Sequence, residues 1–145
     1  MTNLPATKTL NILLVEDDDG DAKAINRALA KAKIANPVYR AHDGQEAMEI
    51  LTDSHADIKL PRPALLLVDI NMPRMNGIEL LREIRQKEEL KRTVVFMLTT
   101  SDRDEDKIEA YDLNVAGYIL KEKAGHDFLR LIELLDTYWR IVELP

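Results

Sequence analysis

The stretch LLLVDINMPRMNG, Leu65 to Gly77, decides how the rest of the chain is read. Three leucines and a valine run straight into Asp69, Pro73 comes four positions later, and Asn76-Gly77 closes the segment. A short continuous apolar run bounded by turn residues reads as a strand buried on both faces. Burying a charge is costly unless it is paired, so a carboxylate at the end of such a strand needs a reason. Similar runs occur at Ile12 to Val15, Val94 to Leu98 and Gly117 to Leu120, with a weaker one at Val38 to Ala41.

Between these runs the apolar period changes to that of a helix. Ala22, Ile25, Leu29 and Ala32 share one face, as do Ala47, Ile50 and Leu51, and again Ile78, Leu81 and Ile84. Ile108 and Tyr111 mark a shorter fourth helix, with Asp102 and Glu105 spaced as a capping box before it. Phe128, Leu131, Ile132, Leu135 and Trp139 stripe a fifth. Gly44 and Gly77 stand at junctions between elements. Strand and helix alternate five times, which predicts a doubly wound α/β domain with a parallel sheet.

The chain of 145 residues has the length of one domain, with 46% hydrophobic and 32% charged residues. Its net charge of −6 disfavours nucleic acid and anionic lipid as partners. The absence of cysteine excludes disulfides and Cys-type zinc sites, and fits a cytoplasmic protein. The N-terminus does not read as a signal peptide, and no apolar run approaches the roughly eighteen residues of a membrane span. His42, His55 and His126 have no ligand spacing and read as surface or structural residues.

In a doubly wound sheet the carboxyl ends of the strands face the ligand crevice. The residues at those ends are therefore informative: Glu16-Asp17-Asp18 after the first strand, Asp69 after the third, Thr99-Thr100 after the fourth and Lys121 after the fifth. Crowded carboxylates repel by roughly 4 kcal/mol per pair at about 4 Å in an effective dielectric near 20. A hard divalent cation removes that cost, and Mg2+ suits one or two carboxylates plus a phosphate oxygen. Asp17 and Asp69 are the expected direct ligands, Glu16 acts through water, and Asn71 offers its backbone carbonyl. Asp69 is then a nucleophile toward phosphorus. The metal holds one phosphoryl oxygen, the Lys121 ammonium a second and the Thr99 hydroxyl a third. There is no glycine-rich cradle for a nucleotide, so the expected donor is a phosphorylated protein or a small activated phosphate rather than ATP.

Four motifs, LLVEDD (13–18), LLVDINMPRMNG (66–77), VFMLTTS (95–101) and GYILK (117–121), together resemble the receiver domain of two-component response regulators. Each alone is weak, but they occur in the family's order and span nearly the whole chain. The resemblance implies a flavodoxin-like (βα)5 sandwich with strand order 2-1-3-4-5. It implies one receiver domain over 1–145, with a core of about 10–137 and an extension over 138–145. It further implies that Asp69 accepts a phosphoryl group from a histidine kinase. Glu16 and Asp17 become the acidic pair for Mg2+, Thr99 the switch hydroxyl, Lys121 the phosphate-binding lysine and Tyr118 the switch aromatic. Asn71 and Ser101 fall where the family tunes dephosphorylation. One departure stands out: Glu122 comes after Lys121 where the family usually has proline, often in a cis peptide, which leaves the isomer of that peptide open.

Within the family the chain is most similar to the stand-alone regulators associated with bacterial phytochromes. The lengthened segment TDSHADIKLPRP (52–63) and the tail YWRIVELP (138–145) carry that likeness. It implies a light-regulated histidine kinase as donor. No DNA-binding region comes after the last helix, so the expected output is contact with a downstream protein. Ile141, Val142 and Leu144 continue apolar past the helix stripe, which predicts a homodimer.

Two other functions compete. A Mg2+-dependent phosphohydrolase with an aspartyl nucleophile typically has a second aspartate two residues on, as general acid. Asn71 occupies that position and cannot protonate a leaving group. A module that binds partners without taking phosphate would have no need of Asp17, Asp69, Thr99 and Lys121 together. The receiver reading expects no turnover beyond self-phosphorylation and slow self-dephosphorylation.

Overall fold

In the computed structural model the described residues are 10–31, 36–99 and 109–120. Strands β1 (Asn11–Val15), β2 (Val38–Ala41), β3 (Ala64–Asp69), β4 (Val94–Thr99) and β5 (Gly117–Leu120) form one sheet in the order β2-β1-β3-β4-β5. All four pairings are parallel. Among the described residues, α1 (Asp19–Lys31), α2 (Gly44–Leu51) and α3 (Gly77–Gln86) connect β1 to β2, β2 to β3 and β3 to β4. The flavodoxin-like fold and strand order expected from the sequence are those observed. Of the expected fourth helix, residues 109–112 are described and are helical. Thr100, Ser101, the Asp102–Glu105 capping box, Lys121, Glu122, the fifth helix and the tail all lie outside the described residues.

Alternation of side chains along each strand sorts the core into two layers. Leu13, Val15, Leu66, Val68, Val95 and Met97 face α2 and α3, where Ala47, Ile50, Ile78, Leu81 and Ile84 meet them. Ile12, Leu14, Leu65, Leu67, Phe96 and Leu98 face the other way, onto Ala22, Ile25 and Leu29 of α1. Strands β1 and β3 are buried at every residue, as the unbroken apolar runs require. The edge strand β2 is half-buried except at Ala41, which explains its weaker signal in the sequence.

Caps set where the helices begin. The Asp43 side chain accepts the Glu46 N–H at 2.8 Å and starts α2. Asn76 and Glu79 form a reciprocal capping box at the head of α3, with the Glu79 N–H 2.9 Å from Asn76 Oδ1. Such side-chain acceptors satisfy helix-end donors that have no partner within the helix. The Asn76 cap matters for position as well, because it fixes where the chain leaving Asp69 turns back across the sheet.

Candidate functional site

Glu16 directly succeeds β1, and Asp69 is the last residue of β3. The two strands pair Val15 with Val68, so the next residue of each lies at the same level of the sheet edge. Both continue the alternation that sends Leu14 and Leu67 toward α1. Period and register together therefore bring two carboxylates to one spot. Asp17 adds a third from the turn before α1. One carboxylate oxygen from each of Glu16, Asp17 and Asp69 lies within 4.8 Å of the others. Glu16 is fully buried and Asp69 is 3% exposed, while Asp17 is open to solvent.

This donor set fits a hard divalent cation. The ligand atoms are oxygens, three formal negative charges are crowded, and two of the groups are shielded from water that would otherwise screen them. The exposed Asp17 leaves the cluster accessible from one side. Asp69 is oriented from below by its own loop, since the Asn71 N–H donates to Asp69 Oδ1 at 3.3 Å.

The acidic turn is held by a residue that the sequence did not single out. The Glu16 N–H donates to the Ala41 carbonyl at 3.0 Å. The Glu16 carbonyl accepts two hydrogen bonds from the Arg40 guanidinium, from Nε at 3.1 Å and from Nη2 at 2.9 Å. Arg40 Nη1 reaches the Asp19 carboxylate at 2.6 Å. The hydrogen bond and the positive charge of Arg40 hold the Asp19 carboxyl below its ordinary value. The Asp18 N–H approaches Glu16 Oε2 at 3.4 Å, and Asp18 Oδ2 accepts the Asp21 N–H at 2.7 Å to start α1. Asp18 thus acts as a helix cap rather than as a member of the carboxylate cluster.

Gly77 lets α3 pass close to the site. A Cβ there would lie 2.4 Å from the Asp69 carbonyl oxygen and 2.8 Å from the Ile70 Cα, so any side chain would push the Asp69 backbone away. The loop between Asp69 and Gly77 is also clasped to the start of α2. The Gly44 N–H donates to the Met75 carbonyl at 3.2 Å, and Arg74, at φ 70°, approaches Asp43 at 3.4 Å and pairs with Gln45.

The remaining site residues are placed less completely. Thr99 ends β4, one residue beyond the Leu98 that pairs with Asp69, and its side chain lies outside the described atoms. It pairs with Leu120, the residue before Lys121. Tyr118 pairs with Met97 and is half-buried against the core layer on the α2–α3 face. Asn71 stands beside Asp69, while Ser101 and Lys121 lie outside the described residues. His42 and His55 both bond to Glu46, at 2.8 and 3.3 Å, away from the carboxylate cluster.

The chain matches known proteins over most of its length. The response regulator receiver domain family matches residues 12–133. Response regulator Rcp1 of Synechocystis sp. is 36% identical over 135 residues, covering 92% of each chain. The crystal structure of its Mn2+-bound form superposes with a TM-score of 0.78 at 34% identity, covering 95% of this chain and 99% of that one. The phosphorylated cyanobacterial phytochrome response regulator RcpA gives a TM-score of 0.80 at 34% identity, with the same coverage. The bacteriophytochrome response regulator AtBRR gives 0.72 at 30% identity, covering 91% and 96%.

Proposed function

Because the chain belongs to the response regulator receiver domain family, we propose that Asp69 is its phosphoacceptor and that a histidine kinase is the donor. The observation that carries this reading is the meeting of Glu16, Asp17 and Asp69 within 4.8 Å at the carboxyl edge of the sheet. A carboxylate oxygen of Asp69 forms the new O–P bond while the P–N bond of a phosphohistidine breaks, and the departing imidazole keeps the nitrogen electron pair. The reaction needs placement and neutralisation of charge more than covalent help from the protein.

Each residue of the edge has a task in that scheme. Asn71, through its N–H, fixes the rotation of the Asp69 carboxylate. Asp17 and Asp69, with the Asn71 carbonyl, would hold a divalent cation, with the Glu16 carboxylate beside them. Mg2+ is the proposed ion, and when bound it neutralises developing charge on the phosphoryl oxygens. Thr99 and Lys121 take the remaining oxygens, as donor and as cation. The Mn2+-bound form of the relative Rcp1 supports a divalent ion in this family without selecting magnesium.

Signalling starts from the same edge. A phosphoryl group on Asp69 draws Thr99 toward it, and the space vacated lets Tyr118 repack from its half-buried position. The changed surface includes the residues before β5, where Tyr111 is 55% exposed. The proposed partners are a phytochrome-type sensor kinase, a downstream protein and a second copy of this chain held through residues 138–145. The likeness to cyanobacterial and bacterial phytochrome regulators supports the choice of kinase.

The test is incubation with acetyl phosphate and Mg2+, and then measurement of the intact mass. The wild type is expected to gain one phosphoryl group that hydroxylamine removes. Chelation of the metal, or Asp69→Asn, is expected to abolish the gain. A protein that gains nothing from acetyl phosphate or from a phytochrome kinase, or an Asp69→Asn protein that gains as much as the wild type, contradicts the assignment.

A further inference from the structure

Arg40 lies on the edge strand, outside the carboxylate cluster, yet its side chain ties the cluster's turn together. The β1–β2 ladder ends with Val15 paired to Ala41. Beyond that point the Glu16 N–H still finds a strand partner, the Ala41 carbonyl. The Glu16 carbonyl accepts two donors from the Arg40 guanidinium, at 3.1 and 2.9 Å. The third donor runs to Asp19, the first residue of α1. Arg40 therefore grips the backbone carbonyl that directly follows β1 and the first side chain of α1, with the exposed Asp17 between them. Its own side chain is 24% exposed, and that of Asp19 is 77% exposed. The solvated ion pair is worth little, and the covered, two-pronged grip on the Glu16 carbonyl is the stronger contact.

From this geometry we infer that Arg40 is a positioning residue for the divalent cation, setting where the Glu16–Asp17 turn presents its carboxylates. The inference rests on the reading that Glu16, Asp17 and Asp69 hold that ion. Two effects of Arg40 oppose each other. Its positive charge, near the cluster, repels a cation. Its grip reduces the freedom that Asp17 must lose when the ion binds. The planar fork decides the balance, because an ammonium has the same charge without the paired donors.

Mn2+ affinity, measured by water-proton relaxation at fixed ionic strength, separates the two. The variants are Arg40→Lys and Arg40→Gln, with Arg85→Lys as a control. Arg85 also donates to backbone carbonyls, those of Leu113, Lys91, Thr93 and Asn114, at the opposite end of the strands. The expected result is that Arg40→Lys and Arg40→Gln each weaken Mn2+ binding by on the order of tenfold, while Arg85→Lys binds as the wild type does. Tighter binding by Arg40→Gln, with Arg40→Lys unchanged, makes Arg40 only a charge near the site and overturns the inference. So does an equal loss in Arg85→Lys, which reports general loosening of the fold. Unchanged binding in both Arg40 variants overturns it as well. A wild type that binds no Mn2+ at all removes the metal reading itself, and is thereby distinguished from these outcomes. Circular dichroism of each variant at the assay temperature establishes that the folded protein is measured.

Discussion

Glu46 shows how individual residues set local electrostatics away from the carboxylate cluster. Burial raises its carboxyl pKa, but hydrogen bonds from the His42 ring, the His42 N–H and the His55 ring together outweigh that and hold it below its ordinary value of 4.5. A carboxylate with a depressed pKa in the folded state contributes stability that is present above the unfolded value and lost as pH falls through the folded one. Glu46→Gln cannot titrate. Urea denaturation is therefore expected to show the wild type more stable than Glu46→Gln near about pH 6, with the difference closing as pH falls below 4.5. A difference that widens on acidification contradicts this account. That Glu16, Asp17 and Asp69 would meet at one edge was legible in the sequence, because residues at strand ends can be located from the strands alone. The sequence did not reveal Arg40. That residue's role needs the register between β1 and β2, and a basic residue in a weak edge strand reads as solvated until its neighbour is known. The partners of His42 and His55 were hidden for a similar reason, since 13 positions separate the two rings along the chain but one carboxylate joins them in space.

At the scale of elements, α3 was legible in its stripe and incomplete in its breadth. Ile78, Leu81 and Ile84 are buried as their spacing predicts, and Leu80 is fully buried beside them. A stripe of one face describes a helix lying on a sheet, whereas α3 also packs against α2, so it buries a wider arc. The end of α3 carries a second feature that spacing does not show. Arg85 sends Nε to the Leu113 carbonyl at 2.7 Å, Nη1 to Lys91 and Thr93, and Nη2 to Asn114. One side chain thus joins the turn before β4 to the turn before β5, where Asn114 has φ 58°. Burial lowers its pKa, but the guanidinium remains charged. Arg85→Met is expected to destabilise the protein by about 2–4 kcal/mol, since four carbonyls lose a charged donor at once. Equilibrium denaturation measures this, and a loss within about 0.5 kcal/mol, the usual effect of a surface substitution, contradicts it.

For the whole molecule, the alternation of strand and helix predicts a parallel sheet whose right-handed crossovers leave few arrangements, and the resemblance carried by the four motifs implies the one observed, β2-β1-β3-β4-β5. The folding cost of the carboxylate edge is a property of this assembled sheet, since β1 and β3 must pair before Glu16 and Asp69 meet. Without metal, the crowded charges oppose folding. Asp69→Asn is therefore expected to melt at a higher temperature than the wild type in chelator. Mg2+ should raise the melting temperature of the wild type, by linkage worth about 2.7 kcal/mol at a hundredfold excess over Kd. It should raise that of Asp69→Asn much less. Equal shifts in both proteins contradict the placement of the ion. The central claim is that the carboxylate of Asp69 itself takes the phosphoryl group, and the most direct measurement is chemical trapping. Borohydride reduces an acyl phosphate on aspartate to homoserine, which peptide mass spectrometry locates in the sequence. After reaction with a phosphodonor and Mg2+, the account predicts homoserine at position 69 and at no other aspartate. Homoserine at Asp17, or a phosphorylated protein in which position 69 remains aspartate, would contradict it.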